Sequence, residues 1–397
     1  MEHNYLIPVI PLEGKTIAYG RGSYVYDKDG KQYLDLNSGQ FCTILGHSNK
    51  AILKEIFSRA EKIVHTASNI ITDEVAVCAE ELHRISGEMK AYTILLNTGS
   101  EAVEFALRFA KYIKKREGVV CFDKGYHGLT LGAQSVTFSG KFARPYVESI
   151  ASIEIPDKGK IDHSLEKLKA YLQTGRYACV LFEPVVSVGG MRYPEPEFFK
   201  EARRLCDEYE AILAFDESQT GFGRTGEWFA YQKLGVIPDM AVLAKGLGLG
   251  FPVAAVLFRD TLIPEAGKYG MTHYSSHQND AFSAAIVNSG IHYIENNKLL
   301  KRVRIMGEYF LERLKMLEEK NGHIKDARGC GLMLGAELCY EGIENYRDVY
   351  HNVYGKMAEK GVLIQGTDGG HTLRFLPDYL IQKEDIDFAV ENLDEAL

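Results

Sequence analysis

The sequence predicts an α/β fold built on a mostly parallel sheet. Two observations carry that expectation. From about residue 90 onward, short apolar runs of four to seven residues recur, and stretches with apolar residues three and four apart separate them. Runs of that kind between amphipathic helices belong to strands covered on both faces. In chain order, GSYVYDKDGKQYLDL (22–36) alternates about a Lys-Asp-Gly turn and predicts a hairpin. The runs TILL (93–96), VVCF (119–122), ACVLF (178–182), AILAF (211–215), MAVLA (240–244) and PVAAVLF (252–258) follow as strands. Between them, Val103, Ala106, Leu107, Ala110 and Ile113 mark one helix face, and Phe198, Phe199, Ala202, Leu205, Cys206 and Tyr209 mark another. After about residue 285 the order changes to a long helix (300–317), strands at 331–338, 361–364 and 372–376, and a closing helix. The expected division is a large α/β domain over 45–285 and a smaller α+β domain from 1–44 and 286–397.

Composition narrows the function. The 397 residues carry 46 basic and 54 acidic side chains, a formal net charge of -8, and no long basic tract, which argues against nucleic acid and anionic membranes as partners. The start MEHNYLIPVIPLEGK has no apolar run of signal-peptide length, and no uninterrupted apolar stretch of about 18 residues occurs. A cytoplasmic location is expected. Seven cysteines without a CxxC pair fit reduced thiols, and no metal site is expected.

Two charged residues give the chemistry its direction. Lys245 follows the strand-like MAVLA and precedes GLGLG, so its amine emerges at the carboxyl edge of the sheet, where open α/β sheets bind ligands. Alone, such a lysine is ordinarily a surface charge. Asp216 ends AILAF in the same way. A lysine that can form a Schiff base and a buried carboxylate that keeps a pyridine nitrogen protonated are what pyridoxal 5'-phosphate requires. A phosphate pocket is offered where LLNTGSEAVEFALRFA turns from strand to helix, with the Gly99 and Ser100 amides at the helix N-terminus, although a plain Ser-capped helix would read the same. Tyr126, in a loop after another strand, can cover a planar ring.

These motifs, with LNSGQ and LGH near the start, GYHG, FEPVVSVGG, DESQTGFGRTG, PDMAVLAKGLGLGFP, SSHQND, RGCGLMLGAEL and LRFLP, resemble the class III pyridoxal-phosphate aminotransferases of fold type I over nearly the whole chain. Within that family SGQ, EPVVSVGG and HQND look most like the dialkylglycine decarboxylase branch. The length and short N-terminus look more like acetylornithine aminotransferases.

The resemblance implies a large domain with a seven-stranded type of sheet, a smaller α+β domain, and a homodimer with shared active sites that takes a small-molecule amino donor and an oxo acceptor. It implies that Lys245 is the catalytic Schiff-base lysine and Asp216 the partner of the pyridine nitrogen. Gln219 would bond the phenolic oxygen, Tyr126 would stack on the ring, Gly99 and Ser100 would hold phosphate, and Ser276 would reach the phosphate from the other subunit. Gln40 and Arg374 would bind the substrate carboxylate, for which a guanidinium fork is suited.

Val188 stands where ornithine and 4-aminobutyrate enzymes carry a glutamate and decarboxylases a serine, which weakens both readings. Transamination with glutamate or alanine is the leading expectation. A decarboxylating transaminase and an amino-acid racemase are the alternatives within enzymes, and a catalytically silent binding protein the alternative outside them. His273 and His277 are read as loop residues lining the phosphate, His127 as a structural loop residue, Arg224 and Glu217 as supports, and Glu183 as a brace of the pocket floor.

Overall fold

The computed structural model describes residue 9 and residues 15–138, 149–156, 161–264 and 270–397; the N-terminal segment examined for a leader thus lies, Val9 and Lys15 apart, outside the described residues. Seven strands form one sheet in the spatial order Tyr92–Leu96, Ala254–Phe258, Met240–Leu243, Ile212–Asp216, Tyr177–Phe182, Gly118–Phe122 and Ile150–Ile153. All neighbours pair in parallel except Ala254–Phe258, which runs antiparallel to both of its partners. The strands Gly118–Phe122, Ile212–Asp216, Met240–Leu243 and Ala254–Phe258 are buried at every position, which is why the sequence shows runs there rather than alternation.

Helix Gly99–Lys114 packs eight buried side chains, including Val103, Phe105, Leu107 and Phe109, over one face. Helix Pro196–Glu208 buries Phe198, Phe199, Ala202, Leu205 and Cys206. Each large side chain fully withdrawn from water contributes about 1.5–3 kcal/mol, so these two faces fix the sheet between them.

Two four-stranded sheets accompany the large one. The N-terminal strands Ile17–Arg21, Tyr24–Asp27 and Gln32–Asp35 pair in series, and the last takes Val362–Leu363 as a parallel partner. Ile324–Cys330, Met333–Leu338, Thr372–Phe375 and Gln365–Thr367 form the other. Four strands, Ile17–Arg21, Ile150–Ile153, Ile324–Cys330 and Gln365–Thr367, have no counterpart in the sequence reading; each is a sheet edge, where one side meets solvent and polar residues are tolerated. The long helix runs Leu299–Lys320, slightly beyond its expected span. No helix among the described residues is long and apolar enough to cross a membrane.

Candidate active site

Parallel strands end at one edge, and the site is built there. With Ala254–Phe258 reversed, the chain leaves the other six strands on the same side, five of them at Leu96, Phe122, Phe182, Asp216 and Leu243, and it enters the reversed strand from that side as well. The residues just past those ends line one cavity of about 1090 Å³: Thr98 to Ser100, Asp123, Lys124, Tyr126 to Gly128, Glu183, Ser218 with Gln219, and Lys245, with Asp216 at its strand's last position. The far wall comes from Gln40 to Cys42, Arg347, Tyr350, His351, the segment from Gln365 to Gly370, and Arg374.

Register explains the central pair. Asp216 lies opposite Val242, three residues before Lys245, so carboxylate and amine come from adjacent strand ends. Lys245 sits in a left-handed backbone conformation with φ 47°, a strain that the buried Gly246, Leu247 and Gly248 after it hold in place. Burial lowers the pKa of its ammonium, opposed by the charge of Asp216. Burial would raise the pKa of Asp216, but the His127 hydrogen bond and charge, the Ser218 amide and Lys245 outweigh it and hold the carboxyl below its usual range. His127 Nδ1 lies 2.8 Å from Asp216 Oδ2, with both groups buried, and the Ser218 amide donates to Oδ1 at 3.0 Å. The loop histidine therefore fixes the aspartate, a role with no local signal in the sequence.

The predicted phosphate pocket is a real helix start, with a different cap. Thr98 is the N-cap, its hydroxyl accepting from the Glu101 amide at 3.2 Å, which leaves the Ser100 hydroxyl to accept from Leu129 N at 3.3 Å. Gly128, at φ 119°, lets that loop close on Ser100, because a Cβ there would overlap the Ser100 hydroxyl. Tyr126 lines the cavity, and its amide donates to Glu183 Oε1 at 2.9 Å. Burial pushes the Glu183 carboxyl up to about 7. Gln219 lines the cavity, and its buried Oε1 has no partner among the described residues. Gln40 belongs to a left-handed turn, Ser38 to Phe41, with φ between 40° and 70°, braced by Asp35, which accepts from the Asn37 and Gly39 amides.

Arg374 is 6% exposed, and burial brings its pKa down to about 10, opposed by Glu183 and Tyr350. Its Nη1 donates to Ser187 Oγ at 3.0 Å and its Nη2 to Gln365 Oε1 at 2.6 Å, its plane stands 4.6 Å over the Phe41 ring, and its Nε has no partner. A buried guanidinium held only by neutral groups is a receptor for an anion. Ser187 and Gln365 are site residues that sequence reading misses. The hydroxyl at Arg374 comes from Ser187, one residue before Val188, which itself lines the cavity.

Ser276, expected to act in the other subunit, is exposed and outside the cavity of this chain. Two expected neighbours stand elsewhere. His273 packs on Phe105 with ring centres 4.7 Å apart, and His277 and His65 share Asp280 Oδ2 at 2.9 and 2.5 Å. In this chain neither His273 nor His277 lines the cavity, which corrects that reading. His65, His277 and Asp280 also have the spacing of metal-ligating groups, the one such set among the described residues.

The supports are internal. Arg224, 1% exposed, donates to the Leu332 carbonyl at 3.0 Å and to that of Pro377. Glu217 accepts from Thr220 Oγ1 and from the Ala230 and Tyr231 amides, and burial raises its carboxyl from the usual 4.5 to about 7. A carboxyl raised on folding stabilises the native state below its unfolded value, and that contribution is lost as pH rises through the folded value. Glu217→Gln removes the titration, and because its single amide oxygen can serve only one of the two backbone donors, either the Ala230 or the Tyr231 amide loses its acceptor at every pH. The variant's melting temperature relative to the native chain is expected to rise between pH 5 and pH 8; thermal unfolding with an unchanged difference would refute this.

A lysine and a paired aspartate at neighbouring strand ends, a helix N-terminus and a carboxylate-type arginine facing one cavity agree with the family match: residues 13–397 fit the Aminotransferase class-III model. The chain belongs to the class III aminotransferases. Curated relatives include the acetylornithine aminotransferases of Methanocaldococcus jannaschii, 35% identical over 98% of this chain and 94% of the relative, and of Methanosarcina mazei, 32% identical over 100% and 95%. Among solved structures, a Bacillus anthracis aminotransferase superposes with TM-score 0.91 at 25% identity, covering 100% of this chain and 96% of that one. A pyridoxal-phosphate-bound amine transaminase from an uncultivated Pseudomonas species superposes with TM-score 0.93 at 22% identity, covering 100% and 98%. This aminotransferase therefore has the fold of type I transaminases, is an enzyme of transamination, and is of a family that implies pyridoxal phosphate and an amino donor with an oxo acceptor.

Proposed function

We propose that this aminotransferase moves nitrogen from an amino acid, glutamate or alanine, to a 2-oxo acid or another carbonyl compound in two half-reactions of a ping-pong cycle. The observation that carries the reading is the convergence of Lys245, Asp216 and the anion-receptive Arg374 on one cavity. The residues fit pyridoxal 5'-phosphate: Lys245 to attach it, Asp216 for the ring nitrogen, the Gln219 side-chain amide to donate to its phenolic oxygen, Tyr126 for the ring face, and Gly99 with Ser100 for the phosphate. When bound, it supplies an electron-accepting ring that stabilises negative charge at the substrate Cα.

The protein's own residues do the rest. Arg374 and Gln40 hold the substrate carboxylate. Lys245 Nζ, its pKa lowered by burial, takes the Cα proton and returns one in the reverse half-reaction. Val188 puts an apolar side chain where a leaving carboxylate would need a hydroxyl, which favours loss of the proton over loss of carbon dioxide. The working unit in this reading is a homodimer in which Ser276 of each chain completes the phosphate pocket of the other. Its exposure outside its own cavity fits that role.

The test is a half-reaction. L-Glutamate or L-alanine is expected to bleach the yellow holoenzyme with one equivalent of oxo acid and no carbon dioxide; stoichiometric carbon dioxide would sink the reading. Arg374→Ala is expected to weaken use of amino and oxo acids by about 2–5 kcal/mol in kcat/KM, the scale of a lost buried charge-assisted pair, while amines without a carboxylate lose much less. Equal losses in both substrate classes would make Arg374 structural.

A further inference from the structure

Arg374 has a counterpart at the mouth of the same cavity. Helix Tyr346–Glu359 presents Arg347, Tyr350 and His351 to it, residues three and four apart on one helical face. The helix start is pinned there. A Cβ on Gly366 would meet the Tyr350 ring at 2.5 Å, and one on Gly370 would overlap the Tyr346 carbonyl and stand 2.9 Å from Arg347 Cα. The same wall leads inward to Arg374, because Gln365 lies opposite Arg374 in the sheet and bonds it, and Tyr350 acts electrostatically on its guanidinium.

The charges on this wall are unequal. Lys124 is paired with Asp368 at 3.1 Å. Arg347 is exposed, and its side chain has no hydrogen bond or ion pair among the described residues, while Arg374 has no carboxylate partner. Arg347 also occupies the first turn of its helix, where the dipole favours an anion such as the neighbouring Asp348 and disfavours a cation. A solvated surface arginine gains nothing from that position. A receptor for an anion does. Among the described residues one cavity thus offers two guanidiniums with no carboxylate in hydrogen-bond contact, an inner one that feels Glu183 only at longer range and an outer one, besides the helix start assigned to phosphate.

We infer that Arg347 determines specificity by binding the second anionic group of the substrate, so that at least one amino donor or acceptor is a dicarboxylate with its far carboxylate at the cavity mouth. The inference rests on the transaminase reading above and names the substrate class for it.

Calorimetry on the holoenzyme compares glutarate, which carries two carboxylates, with butyrate, which carries one. The native enzyme is expected to bind glutarate more tightly. Arg347→Ala is expected to weaken glutarate by about tenfold to a hundredfold, the value of a charge-assisted hydrogen bond, and to leave butyrate unchanged, with Arg347→Lys recovering part of the loss. In single turnovers the half-saturating L-glutamate concentration rises by the same factor at little-changed maximal rate, and that for L-alanine stays constant. Glutarate binding no tighter than butyrate, or equal effects of Arg347→Ala on both acids, overturns the inference. Failure of both L-glutamate and L-alanine to convert the native enzyme strikes instead at the donors proposed above, and the binding comparison still judges Arg347.

Discussion

Lys245→Ala is expected to yield a colourless protein whose transamination falls by about 10⁴-fold or more, the upper range of what a positioned acid–base group contributes, with the covalent link lost as well. Among the described residues Lys124, the one further lysine on the cavity wall, is paired with Asp368 at the rim and does not substitute for Lys245. The fold is expected to survive, because Lys245 stands in a strained left-handed position whose hold on the structure comes from Leu247, Gly248 and the strand before it. Absorbance of the purified variant and its rate with L-glutamate measure both expectations. A yellow variant with native activity would remove Lys245 from the chemistry.

Asp216→Asn is expected to lower kcat by about 10²–10³-fold, the range seen when a preorganised electrostatic contact in a dry site is lost. The exchange preserves shape. The asparagine oxygen still accepts from the Ser218 amide while its Nδ2 donates to His127 Nδ1 in the Nε2–H tautomer, so both contacts are kept and the charge disappears. In the native enzyme that charge is secure, since His127, Ser218 and Lys245 together outweigh burial and keep the carboxyl below its usual range. The native rate therefore has no acid limb from Asp216 until pH drops beneath the ordinary carboxylate range. Circular dichroism and melting temperature near native values, together with the rate loss, would separate an electronic role from a folding defect. Near-native turnover in Asp216→Asn would show that the negative charge is dispensable.

The sequence alone was enough to place the central strands and the two residues at their ends. MAVLA and AILAF are apolar runs bounded by charge, and a strand buried on both faces can present a charge only where it leaves the sheet, so Lys245 and Asp216 had to emerge at its edge. Local periodicity likewise determined the helices over 99–114 and 196–208, because their apolar faces repeat within a few residues. The start of the first was legible, but its cap was not: Thr98 and Ser100 are chemically alike as caps, and only backbone geometry chose Thr98.

What surrounds Arg374 was decided by tertiary structure. Ser187 lies 187 residues away in the chain and Gln365 is a neighbour only through antiparallel register, so no local pattern relates them. The same holds for His127 and Asp216, 89 residues apart, and for Arg347, which reaches the cavity because Gly366 and Gly370 let a helix rest where any side chain would have kept it out. Hydrophobic spacing records which face of an element is buried. It does not record which other element lies against that face, and the electrostatics of this site depend on that second fact, since desolvation and partner charges arise only when distant segments close together.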